Sequence, residues 1–148
     1  MVIFETLKVC VSFFEGSQTV LTKWESKPSL KAFKEANLHI LSVLSQNKAL
    51  KNFCTNLAFI GALSHEQEMW LDAEYYPEVH NILKSDFFLA VVFSEGHFQA
   101  IVHNYHLAHA KPKHDYVKIN YFTDFDEALH WLDNVQKGQD AALMPIAP

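Results

Sequence analysis

The sequence has few cysteines, the residues whose disulfides or metal bonds stabilise many small proteins. It contains two cysteines, Cys10 and Cys54, and neither lies in a metal-binding or redox spacing. A chain of 148 residues can bury a large core without a disulfide or a structural metal. We therefore expect both thiols to be buried as small apolar side chains in a reducing compartment.

Basic clusters and long apolar runs are also missing. The net charge is −5 and no run of lysine or arginine occurs, which argues against a nucleic-acid partner and against a polybasic membrane anchor. The longest apolar run, residues 87–93, is far shorter than the ~20 residues of a membrane span. Glu5 comes too early for a signal peptide. The sequence predicts a cytoplasmic protein with no membrane span.

Glycine is scarce, with four dispersed residues. No P-loop, dinucleotide fingerprint or nucleophile elbow is present, so we expect no cofactor and favour a non-enzymatic role. The acidic residues Glu66, Glu68, Asp72, Glu74 and Glu78 lie in one predicted helical region. We interpret them as its solvated face and not as paired catalytic carboxylates.

Aromatic residues are abundant, with 12 Phe, 5 Tyr and 3 Trp. This aromatic content has two possible interpretations. The rings either fill a phenylalanine-rich core or surround the space for an apolar ligand.

The pattern of apolar residues predicts an α/β protein. Alternating or continuous apolar runs indicate strands at 2–5, 8–14, 19–25, 52–58, 87–93 and 115–122, and helical spacing indicates helices from 29 to 47, from 64, from 97 to 110 and from 124 to 137. This order implies a mixed sheet of about five or six strands with about four helices, parallel in its second half after an N-terminal antiparallel hairpin. Residues 1–137 form the single domain, Gly138 ends the last helix, and residues 138–148 are a flexible tail.

The second predicted helix has a marked beginning and an interruption. Ser64 followed by Gln67 is a capping box. Pro77 removes a backbone donor, so we expect a kink or break there, with Pro77 restarting the helix. We expect an inward face formed by Met69, Ala73, Tyr76 and Leu83.

Three segments carry a family resemblance. They are Asn52-Phe53-Cys54-Thr55-Asn56-Leu57, the helix from Ser64 through Trp70 to Glu74-Tyr75-Tyr76-Pro77, and the end of the domain, where Glu127-Ala128-Leu129-His130-Trp131-Leu132 occurs. The chain resembles the SpoIIAA-like (STAS-like) family of small bacterial proteins over roughly residues 2–135.

The resemblance implies two activities. Antagonists of the wider STAS group are phosphorylated by a partner kinase on a serine at a helix N-terminus, which makes Ser64 the candidate phosphosite. Here Gly61-Ala62-Leu63-Ser64 replaces the Asp-Ser-Ser-Gly signature, and a plain N-cap is the alternative role of Ser64. A likeness of the fold to lipid-carrying domains implies a carrier of apolar molecules.

Histidine is frequent, with nine residues. His103, His106 and His109 are spaced by three along the predicted third helix, so His103 and His106 could form a metal-binding pair. The alternative is an exposed histidine-rich helix face with His109 turned toward the core.

Three functional hypotheses follow. The first is a regulatory module that binds a second copy of itself, as a homodimer, or a regulatory protein. The predicted contact surface is formed by Ser64, Trp70, Tyr75 and Tyr76. The second is a carrier of an apolar small molecule or lipid. The third is a histidine-dependent metal protein.

Overall fold

The strands of the protein form one mixed six-stranded sheet. A computed structural model describes residues 1–96, 98–99 and 114–141. The strands are β1 (Val2–Glu5), β2 (Val9–Phe14), β3 (Thr19–Trp24), β4 (Asn52–Asn56), β5 (Phe87–Val92) and β6 (Val117–Phe122). They lie in chain order across the sheet. β1, β2 and β3 pair antiparallel, and β3 to β6 pair parallel, so the predicted hairpin and parallel half are both confirmed.

The described residues contain three helices, where the sequence predicted about four. They are α1 (Leu30–Gln46), α2 and α3 (Phe125–Ala141). α2 is continuous but has three parts: an α-helical segment, His65–Trp70, a π-helical turn, Leu71–Tyr75, and a second α-helical segment, Tyr76–Leu83. The helix predicted from 97 to 110 falls almost entirely outside the described residues.

The helices divide between the two faces of the sheet. α1 and α2 bury apolar residues in the larger core cluster, against one face of the sheet. α3 covers the opposite face, where Ala128 and Leu132 pack with Leu21, Cys54 and Val92. Crossovers between neighbouring parallel strands are right-handed, so those that advance in one direction across a sheet place their helices on the same side. α3 follows the last strand and is therefore able to close the other side.

β5 lies between β4 and β6 and is covered on both faces. Five of its six residues are buried, which is what an uninterrupted apolar run predicts for a central parallel strand. Cys54, on the neighbouring β4, is buried as predicted, whereas Cys10 is only half-buried.

The start of α2 has the predicted capping box. The Ser64 Oγ accepts the Gln67 N–H at 3.1 Å, and the Gln67 Oε1 accepts the Ser64 N–H at 2.9 Å. The interruption takes the form of a wide turn: the Tyr76 N–H donates to the Leu71 carbonyl, five residues earlier. Pro77 then lies in the first turn of the second α-helical segment, where its missing N–H costs little.

The inward face predicted for α2 is wrong in part. Met69 is 54% exposed and Ala73 is exposed, whereas the buried residues recur every four positions. They are Gln67, Leu71, Tyr75, Val79 and Leu83, joined by Tyr76. In a helix of 3.6 residues per turn, a spacing of four drifts by about 40° at each step. The π-helical turn takes up part of that drift, and this is why a strict 3.6 period selected the wrong residues.

The C-terminal boundary is also corrected. α3 continues through Gly138 to Ala141, so Gly138 does not end the helix and the tail does not begin there. Glycine disfavours a helix interior by only about 1 kcal/mol, which a helix docked on the sheet can tolerate.

No helix among the described residues has both the length and the apolarity needed to cross a membrane.

Candidate functional site

A cavity of about 360 Å³ lies between the sheet and the two helices α1 and α2. Its floor is formed by alternate residues of β3, β4, β5 and β6, which point to the same side of the sheet. Its roof comes from α1 and from all three parts of α2. The cavity is thus lined mostly by residues of the larger core cluster, and one lining residue on β6, Ile119, is 42% exposed.

The floor consists of two rows of residues that run across the strands in register. The first row is apolar: Val20, Phe53, Leu89 and Ile119. The second row, one step toward the carboxyl ends of the parallel strands, is partly polar: Thr22, Thr55, Val91 and Tyr121. Each residue of both rows lines the cavity. The floor therefore changes from apolar to polar toward the edge at which open parallel sheets bind ligands.

Aromatic rings form a connected wall around this floor. Trp24 stacks on Phe33 with ring centroids 5.8 Å apart, and Tyr75 contacts Tyr76 at 5.9 Å. Trp70 bridges the two pairs, at 6.0 Å from Phe33 and 5.7 Å from Tyr75. Rings in contact at these distances stabilise one another beyond the area that they bury. The wall is thus a connected set of ring contacts that runs from β3 and α1 to α2.

α2 carries the acidic part of the wall, with Glu68 in the α-helical segment His65–Trp70 and Asp72 in the π-helical turn. Glu68 and Asp72, four residues apart, both line the cavity and are half-buried. The prediction that these two carboxylates belong to a solvated face is therefore wrong, although Glu66 and Glu74 are exposed as predicted. π-helical turns are frequent at functional sites because they re-aim side chains.

The negative charges of Glu68 and Asp72 also act on Tyr121 of β6. Burial raises the pKa of Tyr121 to about 12, and the charges of Glu68 and Asp72 add to that rise. Burial alone raises the pKa of Tyr75. Both phenols are therefore protonated at neutral pH.

His114, which lies just before β6, connects that strand to the π-helical turn of α2. Its Nε2 lies 2.7 Å from the carbonyl oxygen of Asp72. Because a carbonyl oxygen can only accept, Nε2 carries the proton and donates it. The ring also stacks on Tyr116 at 4.9 Å, which holds it at the margin of the cavity.

Three polar side chains at the cavity have hydrogen-bonding capacity that the described residues do not use. Tyr75 is 7% exposed and Thr22 is 6% exposed, and neither hydroxyl makes a hydrogen bond with the described residues. The Asn37 amide donates to the Phe33 carbonyl at 2.9 Å, which leaves its Oδ1 as an acceptor at the cavity. None of these three oxygen atoms is both sealed from solvent and unpartnered, so each can bond to water or to a ligand.

The residues predicted to form an interaction surface do not all reach solvent. Ser64 is exposed and Trp70 is half-buried. Tyr75 and Tyr76 are 7% and 8% exposed, because the wide turn rotates both toward the sheet. These two tyrosines line the cavity instead of a surface. Ser64 as a phosphosite stays a prediction.

The predicted metal pair, His103 and His106, lies outside the described residues. Within the described residues, no group of three or more histidine, cysteine or acidic side chains is placed to hold a metal ion.

Sequence reasoning missed most of the polar residues of the cavity. Thr22, Thr55 and Tyr121 occupy inward positions of their strands, and Asn37 interrupts the apolar stripe of α1. A polar residue at an apolar position was the signal available in the sequence. It did not distinguish a satisfied core residue from one that lines a cavity.

Comparison with known proteins gives no match: no family model, no curated protein and no solved structure is significantly similar to the chain.

Proposed function

We propose that the protein binds a small, largely apolar molecule in the cavity between its sheet and helices α1 and α2. The observation that carries the proposal is the cavity itself, with apolar and aromatic walls and a few polar groups at one end. Ligand sites in proteins typically combine these features and have volumes of about 300–1,000 Å³.

The size of the cavity restricts the ligand. At about 30 Å³ for each water molecule of the liquid, it has the volume of roughly 12 waters. A ligand with a similar number of non-hydrogen atoms fits, such as a substituted aromatic ring system or a short aliphatic chain.

A cavity of this volume is costly if it stays empty. Apolar walls without an occupant lose the contacts that a packed core would supply, and water that enters the cavity does not replace them. An occupant that packs against the walls removes this cost, and this supports the binding of a ligand over a packing defect.

Binding of a protein partner is the other hypothesis from the sequence. Trp70, its main aromatic residue, already contacts Phe33 and Tyr75, and the ammonium of Lys34 lies 5.8 Å from its ring centroid. These contacts favour a structural role for Trp70. An interaction surface around Ser64 stays a prediction, as does membership of the SpoIIAA-like family.

Binding of a neutral fluorescent probe tests the proposal. 1-Aminonaphthalene is within the size that the cavity admits, is uncharged at neutral pH and fluoresces at shorter wavelengths in apolar surroundings. We expect saturable binding by the purified full chain. We also expect Val91→Phe, which fills the middle of the cavity, to abolish binding while it preserves or raises the melting temperature.

The neighbouring residue provides the matched control. Val92 lies next to Val91 but points into the close-packed cluster under α3. Val92→Phe should lower stability by about 1–3 kcal/mol through overpacking and leave the probe site intact. If Val91→Phe does not fold, Ile119→Trp replaces it, because Ile119 lines the cavity but is 42% exposed. Unchanged probe binding in a folded cavity-filling variant would overturn the proposal.

A further inference from the structure

We infer that the ligand carries a positively charged amine on its apolar body, which lies against Asp72 and the surrounding aromatic rings. This inference rests on the proposed function, and it specifies the chemical class of the ligand. Three features of the cavity point to it: the sign of the charge, the aromatic rings and the hydrogen-bond acceptors.

Among the described residues that line the cavity, the carboxylates Glu68 and Asp72 are the side chains with a full charge at neutral pH. Glu68 and Asp72 lie four residues apart, so they share one face of α2. No lysine lines the cavity within the described ranges, and the chain contains no arginine. His114 is the remaining titratable cation there, and its Nε2 proton is already donated to the Asp72 carbonyl.

This distribution of charge selects among ligands. A carboxylate or phosphate would be placed beside like charge, with no lysine from the described part of the chain to offset it, which disfavours its binding. An ammonium group gains attraction from Asp72 in a site that excludes much of the water. The effect of both carboxylates on the pKa of Tyr121 is consistent with a negative potential across this end of the cavity.

The aromatic rings of the wall also favour a cationic ligand. The wall contains Trp24, Phe33, Tyr75 and Tyr76, and the electron-rich face of a ring attracts a cation within about 6 Å of its centroid. Combinations of aromatic rings with a carboxylate are used to recognise alkylammonium groups.

Hydrogen-bond acceptors complete the site. An ammonium group has hydrogen atoms to donate, and the Tyr75 hydroxyl and the Asn37 Oδ1 can both accept. Tyr75 is 7% exposed, lines the cavity and makes no hydrogen bond with the described residues. A hydrocarbon would displace water from the Asn37 Oδ1 without replacing its hydrogen bond, and this distinguishes an amine from a hydrocarbon.

A matched ligand series tests the inference. 1-Naphthylmethylamine, 1-naphthalenemethanol and 1-naphthoic acid share one apolar body and are cationic, neutral and anionic at neutral pH. We expect the amine to bind about tenfold more tightly than the alcohol, and the acid more weakly than both, in calorimetric titrations of the full chain.

Substitution of the carboxylate assigns the preference to its source. Asp72→Asn should remove the advantage of the amine over the alcohol and leave the affinity for the alcohol within about twofold. Glu74→Gln is the matched control, because Glu74 is on the same turn but exposed, and it should leave the series unchanged.

The outcomes separate the two proposals. If the alcohol binds but the amine has no advantage, or if the acid binds best, the inference about the amine is wrong and the cavity remains a ligand site. If none of the three compounds and no neutral probe binds, the proposed function itself fails.

Discussion

Asn52, at the start of β4, connects three parts of the fold through one side chain. It is fully buried, and its Nδ2 lies 3.0 Å from the Ser17 carbonyl, 3.2 Å from the Leu132 carbonyl and 3.3 Å from Gln136 Oε1. The amide thus joins the β2–β3 turn and β4 to α3. This link is on the face of the sheet opposite the cavity, so it supports the scaffold and not the ligand.

Asn52→Ala should destabilise the protein by about 1–3 kcal/mol, because it removes the buried hydrogen bonds to the Ser17 and Leu132 carbonyls. Urea unfolding followed by circular dichroism measures this loss. Asn81→Ala, at an exposed position of α2, is the control and should change the stability by less than about 0.5 kcal/mol. Equal losses in the two variants would show that Asn52 has no special role.

Individual residues of the site were the hardest features to predict from the sequence. Ser64 and Gln67 form the expected capping box, because a cap depends on a few neighbouring residues. Thr22, Asn37 and Tyr121 come from distant parts of the chain, and only the fold brings them to one cavity. The helical period placed Tyr76 inward correctly but failed for Met69 and Ala73.

Gly138 shows how an element can continue past a residue that usually ends it. It lies within α3, is exposed, and does not have the positive φ of a helix-terminating glycine. A Cβ added there would meet no atom within 4 Å. Gly61 has the opposite character, since its φ of +76° is required by the turn after β4.

Gly138→Ala should therefore stabilise the protein, by about 0.5–1 kcal/mol, because alanine restricts the unfolded chain and fits the helix. Gly61→Ala should destabilise it, because a Cβ is strained at that φ. Parallel urea titrations of the two variants provide the measurement. A loss of stability in Gly138→Ala would mean that α3 ends at Gly138 after all.

Element boundaries were predicted well where the local signal is strong. All six strands occur where alternating or continuous apolar runs predicted them, including β5. Ser29 caps α1 at the predicted place, since its Oγ accepts the Ala32 N–H at 3.1 Å. The π-helical turn was not predicted. It results from tertiary packing, and Pro77 permits such a turn without requiring it.

At the scale of the whole molecule, the strand order followed from two general rules. Helical crossovers indicate parallel neighbours, and short turns indicate antiparallel ones, so the mixed sheet could be derived from the sequence. The cavity could not, because a void depends on the volumes of side chains from six elements together.

The whole fold should lose stability in alkaline solution. Burial raises the pKa of Cys54 from 9.0 to about 12, and the pKa of Tyr121 rises from 10.0 to about 12. The folded state thus holds these protons more tightly than the unfolded chain, so the stabilisation is complete below about pH 9 and is lost as the pH rises toward 12.

Urea midpoints measured at several values between about pH 8 and 11 should fall with increasing pH. Cys54→Ala should flatten the fall, because it removes one buried acid. Cys10→Ala is the matched control and should flatten it less, since the Cys10 thiol is only half-buried. A midpoint that is constant over this range would contradict the assignment of these groups as buried acids.

The wide turn of α2 also has an evolutionary meaning. A π-helical turn is equivalent to one residue inserted into an α-helix, so a relative that lacks it would align with a single-residue gap between Leu71 and Tyr75. Losing that residue would rotate His65–Trp70 by about 100° relative to Tyr76–Leu83. All six strands would persist, but Glu68 would turn away from the cavity. One position in an alignment would then separate descendants that keep the acidic wall from descendants that have only the scaffold.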